Sequence, residues 1–150
     1  MKIVLLILAV LLICVTALVT LVRSSGWNEL AKTYSSSSGY FDGQRWSFVS
    51  GWMGTKGKLV RFRSCLNVRT NHNGVYLSFF PPFNLVARAL FIPWEQIAFT
   101  GYQGTLTEYV DFHFREVQSV ILRLSKSTAS KILASAPRNL PIPNEKENRP

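Results

Sequence analysis

Lys2 is followed by Ile3 to Val22 without one charged residue, and that run constrains the fold more than any other feature of the chain. An apolar stretch of about twenty residues is long enough to cross a bilayer; as a helix rising ~1.5 Å per residue it reaches roughly 30 Å. A helix also pairs its backbone groups internally, which hydrocarbon demands. Thr16 and Thr20 can each return a hydroxyl to the carbonyl four residues earlier, so neither needs an outside partner. The run predicts an integral anchor over residues 1–23. A cleaved signal peptide is the competing reading, with Val15-Thr16-Ala17 as a small-residue cleavage site. Against it, the apolar character continues from Leu18 to Val22, which cleavage would leave as an apolar new N-terminus. Ile13 before Cys14 is too bulky for a lipoprotein signal, so Cys14 reads as a small apolar residue in lipid.

The flanks of the run, Lys2 on one side and Arg23 and Lys32 on the other, hardly separate inside from outside. The net charge of +9 lies almost wholly after the run. A tethered basic domain is drawn toward an anionic leaflet, which favours the cytoplasmic side. Cys65 is the one cysteine beyond the anchor, so no disulfide forms within the domain; that is compatible with a reducing compartment.

The remaining length suits one domain. The aromatic residues, 13% of the chain, all lie outside the anchor and supply its core. Residues 24–44 read as a short amphipathic helix carrying Trp27, Leu30, Ala31 and Tyr34, then a Ser-rich linker. Trp27 either packs on the domain or anchors the helix in the headgroup zone. Alternation then takes over, and seven strands are expected: Arg45 to Met53, Lys58 to Thr70, Val75 to Phe80, Leu85 to Ile92, Trp94 to Thr100, Thr105 to Arg115 and Val117 to Leu124. A helix capped by Ser125 or Ser127 closes the domain, with Ala129, Ile132, Leu133 and Ala136 on one face. Residues 137–150, rich in Pro and charge, read as a flexible tail.

Seven short antiparallel strands and one final helix over residues 45–136 resemble the pleckstrin-homology (PH) superfold, which implies an α+β fold with a seven-stranded antiparallel β-barrel or sandwich and a C-terminal helix. Gly74-Val75-Tyr76-Leu77-Ser78 and Ile92-Pro93-Trp94-Glu95-Gln96-Ile97 are similar to segments of its bacterial, GRAM-like branch. A membrane anchor ahead of such a domain is similar to the layout of small bacterial membrane proteins, which implies an inner-membrane location. These are packing motifs, and they speak to fold more than to activity.

Between Asp42 and Glu95 there is no acidic residue, while Arg45, Lys56, Lys58, Arg61, Arg63, Arg69 and Arg88 all fall in that window. By strand parity Arg61, Arg63 and Arg69 share the wet face of the second strand with Cys65 and Asn67. In phosphoinositide-binding members of the superfold a turn Lys and an Arg-x-Arg clasp phosphates; the resemblance carries that role to Lys56, Arg61 and Arg63, with Lys58 and Arg69 beside them. Patterning of a solvated strand in a basic protein produces the same residues. Nucleic acid is disfavoured by the tether and by the lack of a recognised motif. No nucleophile pairs with His72, His113 or Asp111, and two histidines with one domain cysteine do not compose a metal site. Trp52 and Trp94 read as core. The chain is thus expected to be a non-catalytic, cofactor-free binding module, held at the bilayer by Ile3 to Val22 with Trp27. Its expected contacts are anionic lipid headgroups, a membrane protein partner, or both. A structural adaptor in a membrane complex is the alternative.

Overall fold

The structure, a computed structural model, describes residues 1–36 and 42–138. Part of the Ser-rich linker and nearly all of the expected tail lie outside the described residues. Helix α1 (Lys2–Ser24) is long and apolar enough to cross a membrane. Its hydroxyls turn inward as expected: Thr16 Oγ1 donates to Leu12 O at 3.0 Å and Thr20 Oγ1 to Thr16 O at 2.8 Å.

Helix α1 does not end in a loose linker. Val22 and Ser25 are buried; the Ser25 hydroxyl donates to Val22 O at 2.7 Å and accepts from Trp27 N at 3.3 Å. Gly26 turns the chain at φ +77° against Val120, where an added Cβ would come within 2.7 Å of a methyl group. Helix α2 (Trp27–Tyr34) then buries Trp27, Leu30 and Tyr34 in the main core. This decides between the two readings of Trp27: its ring lies 4.2 Å from Phe79 and its indole N–H donates to Arg88 O at 2.8 Å, so it packs inside the domain and cannot reach headgroups. Val22 likewise belongs to the domain core, so the exposed length of α1 lies before it.

Seven antiparallel strands form one curled sheet, a half-barrel in the order β4-β3-β2-β1-β7-β6-β5. They are β1 (Gln44–Thr55), β2 (Lys58–Thr70), β3 (Gly74–Phe79), β4 (Leu90–Pro93), β5 (Ile97–Gln103), β6 (Glu108–Phe114) and β7 (Ile121–Ser125). Four expected strand starts move by more than one residue; the sixth strand begins at Glu108 rather than Thr105 and the seventh at Ile121 rather than Val117. The fourth strand starts at Leu90 rather than Leu85, because residues Phe83–Leu85 form a 3-10 turn after Pro81-Pro82 and leave Leu85 83% exposed. The fifth starts at Ile97, since Trp94–Gln96 is also a 3-10 turn; there Trp94 is buried as expected and donates its indole N–H to Asn71 O at 2.8 Å. Trp52 departs from its core expectation, standing half-buried on the outer side against Tyr109 and Arg61.

Register shifts between Trp46/Val49 and Val49/Gly51 bend the β1–β2 pair, with Phe48 and Ser64 at positive φ. The extra residue in β1 lets Trp46 and Val49, of opposite parity, both face the core. Helix α3 (Lys126–Leu133) closes over β6 and β7, capped by Ser125, whose Oγ accepts from Thr128 N at 3.4 Å, and buries Ala129 and Ile132.

The β6–β7 segment begins near the β2–β3 turn, where Arg115 N donates to Gln96 O at 2.9 Å and Trp94 N to Asn73 O at 3.3 Å, and it ends beside the β1–β2 turn. Ile121 pairs with Gly54 beside the β1–β2 turn, and Val120 touches Gly26. Helix α1 therefore meets the domain near the β1–β2 turn with Lys56 and Lys58, at the other end of β2 from the β2–β3 turn with His72.

Candidate functional site

The five basic residues read as one headgroup site are spread along β2 and the turn before it. Lys56 and Lys58 flank the exposed β1–β2 turn, and Arg61 stacks over Trp52 at 5.0 Å. Arg63 is exposed beside the Ser64 bulge. Arg69 is half-buried over Tyr76, 5.8 Å from the ring. Lys58 and Arg69 lie eleven positions apart along β2, at most about 36 Å at ~3.3 Å per residue on a straight strand. Cys65 and Asn67, placed on the wet face by parity, are both buried at 8% exposure. The cause is the segment between β3 and β4, which runs back beside that face; Phe80 N donates to Cys65 O at 2.7 Å. Burial pushes the Cys65 thiol above its ordinary range, which suits a packing role.

Two of the grooves on the outer side of the sheet are lined by arginines. The first, about 500 Å³, lies over β5, β6 and β7 and is lined by Lys56, Thr100, Tyr102, Asp111, His113 and Arg123, among others. Asp111 is buried at 7% exposure and takes both forks of Arg123, from Nε at 2.7 Å and Nη2 at 2.8 Å. Arg123 also sits 3.8 Å over the Tyr102 ring. Asp111 therefore serves Arg123 across the β6–β7 pair, not the adjacent His113 of its own strand. Burial lowers the His113 pKa below the ordinary imidazole value; Asp111 opposes that shift, while Lys56 and Arg123 add to it. Every strong charge in this groove except Lys56 is already matched.

The second groove, about 380 Å³, lies over β2 and β3 and is edged by the β3–β4 segment. Arg45, Asn67, Tyr76, Ser78, Asn84 and Arg88 supply its polar lining, with Phe80 and Pro81 as apolar wall. No carboxylate lines it. Arg45 stands directly opposite Arg69 in the β1–β2 register, and Asn67 opposite Ser78 in β2–β3. Asn67 Oδ1 and Arg69 Nε are buried with no hydrogen-bond partner among the described residues. Burying such atoms unsatisfied is unfavourable, typically by about 1–3 kcal/mol each. Sequence reasoning placed Arg45, Arg69 and Arg88 in one acid-free window but did not bring them together; the absence of acid was the available signal.

Among the described residues no group of three or more His, Cys, Asp or Glu side chains is placed to hold a metal ion. No family model, curated protein or solved structure matches the chain.

Proposed function

We propose that this chain is a membrane-tethered, non-catalytic binding module of PH-like architecture, whose anchored end meets anionic lipid headgroups or a membrane protein partner. One observation carries the reading: α1 passes into the core through Val22, Ser25 and Trp27 instead of through a flexible leash. A helix crossing a bilayer and fixed in this way holds the domain at one depth and one tilt. The end that it holds down carries Lys56 and Lys58, with Arg23 and Arg88 also exposed near it. Each basic side chain near an anionic surface contributes about 1 kcal/mol, so this end is the favourable one to present to lipid. A bacterial inner membrane with the domain in the cytoplasm is the matching location.

The adaptor reading draws on the opposite flank. Strand β5 ends the sheet order, and Leu106 in the hairpin after it is 96% exposed. A protein partner can add a strand to such an edge.

Lipids carrying a nitroxide in the headgroup region test the orientation. The full chain is placed in nanodiscs with a fluorophore at Lys56→Cys or at His72→Cys. The Lys56 position is expected to be quenched, more so when phosphatidylglycerol replaces phosphatidylcholine, and the His72 position spared. Equal quenching at both ends refutes the orientation; an orientation indifferent to lipid charge favours the adaptor.

A further inference from the structure

We infer that the groove over β2 and β3 is a binding site for a hydroxyl-bearing phosphoester of the glycerol phosphate type. The inference goes beyond the membrane reading and does not require it, since the groove's chemistry is the same toward a soluble ligand.

Charge comes first. Arg45 and Arg88 reach the groove from different elements, β1 and the segment before β4, and both are exposed. Arg69 faces Arg45 across the strand pair and stacks on Tyr76, a wall of the groove. Like charges directly opposite each other on a sheet repel. An anion between them reverses that sign and supplies acceptors to forked donors. A carboxylate has two oxygens in one plane, which a single guanidinium satisfies; a phosphate presents oxygens on several sides and suits arginines approaching from two directions.

Asn67 narrows the class. It is more than nine-tenths buried, it lines the groove, and its Oδ1 accepts nothing from the described residues. A phosphate diester or an ionised monoester lacks the donor that this oxygen calls for, so the donor comes from a neighbouring group of the ligand. A ligand ammonium would sit among arginines and be repelled, whereas a hydroxyl would not. Ser78, opposite Asn67, and Asn84 add neutral hydrogen-bonding capacity beside that position. The volume of about 380 Å³ accommodates a small polyol phosphate. Two sources supply this chemistry, a free glycerol phosphate or the headgroup of phosphatidylglycerol. The Arg88 carbonyl is held by Trp27, three residues beyond the end of α1, so the groove's edge also lies near the anchored end.

The test uses the full chain in a neutral detergent, titrated calorimetrically with sn-glycerol 3-phosphate and with inorganic phosphate. Glycerol phosphate is expected to bind about tenfold more tightly than phosphate. Arg45→Gln with Arg88→Gln, both at exposed positions, should weaken it at least about tenfold. Lys56→Gln with Lys58→Gln, which removes the same charge elsewhere, should leave it nearly unchanged. Asn67→Leu should abolish the preference for the glycerol ester while keeping some phosphate binding. Circular dichroism reports whether each variant folds; if Asn67→Leu does not, Ser78→Ala tests the same preference. Repeating the titration in nanodiscs separates the sources: phosphatidylglycerol blocks the soluble probe if the headgroup is the ligand, and leaves it unaffected if the ligand is soluble. Absence of binding by every probe overturns the inference, as does equal weakening by the lysine pair, which would reduce the effect to diffuse charge.

Discussion

The two outer faces of the half-barrel treat arginine in opposite ways. Over β5 to β7, Arg123 is clamped by Asp111 through two hydrogen bonds and covered by Tyr102, and Lys126 pairs with Glu108 nearby. Over β1 to β3, Arg45 and Arg69 face each other, Arg88 edges the same groove, and no acid lines it. A basic protein can use an arginine as a structural bolt or keep it for a ligand, and register decides which. Asp111 stands opposite Arg123 in one strand pair; Arg45 stands opposite Arg69 in another.

The largest test of this contrast is thermodynamic. Replacing Arg123 with Ala strands the buried Asp111 carboxylate and should destabilise the protein by about 3 kcal/mol. Chemical unfolding of the full chain in detergent, followed by tryptophan fluorescence, measures it. Asp111→Leu with Arg123→Met together should restore much of that loss, because no buried charge then remains. If Arg123→Ala is no worse than Arg88→Gln, the two faces do not differ in the way described.

Protonation of His113 sharpens the contrast with a smaller effect. Burial holds its folded pKa below the ordinary value of about 6.5, so the folded state disfavours the imidazolium. The resulting stability is present in full above about pH 6.5 and is lost as pH falls from there through the folded pKa. The thermal midpoint should drop on acidification from about pH 7.5 to 5.0, and His113→Gln should flatten part of that slope. His72→Gln, in the exposed turn at the far end, should leave it unchanged. A slope indifferent to His113 would show that the β5–β7 face is not tuned by its titration.

Much of this fold was legible along the chain. The uncharged run predicted α1, and alternation with the Asn71 to Gly74 turn signal predicted seven strands in the order found. Local pattern failed where non-local contacts intervene. Parity assigned Cys65 and Asn67 to the outer side, but it cannot say what covers that side; the β3–β4 segment does. Spacing put Asp111 beside His113 two residues away, whereas its partner, Arg123, lies across a strand pair whose register is set by packing. Trp27 showed the same ambiguity, since an amphipathic helix after an anchor can lie on lipid or on its own domain. The pattern of Trp27, Leu30 and Tyr34 fits both surfaces, and only the position of Phe79 and Arg88 selects the second.

The smallest effect has the most diagnostic sign. On a face where arginines are bolts, removing one weakens the fold; on a face where they are held for a ligand, removing one relieves repulsion. Arg45→Gln should therefore stabilise the ligand-free protein, by about 0.3 kcal/mol at low salt, since Arg45 and Arg69 are directly opposed across β1 and β2. The gain should shrink at high salt, because an exposed guanidinium is screened once the Debye length falls to ~3 Å at 1 M. With saturating glycerol phosphate the sign should reverse, as the native protein gains the binding free energy and the variant loses most of it. A destabilising Arg45→Gln in the absence of ligand, insensitive to salt, would mean that Arg45 braces β1 through its bond to Ser47 on the same strand and that the two faces follow one rule.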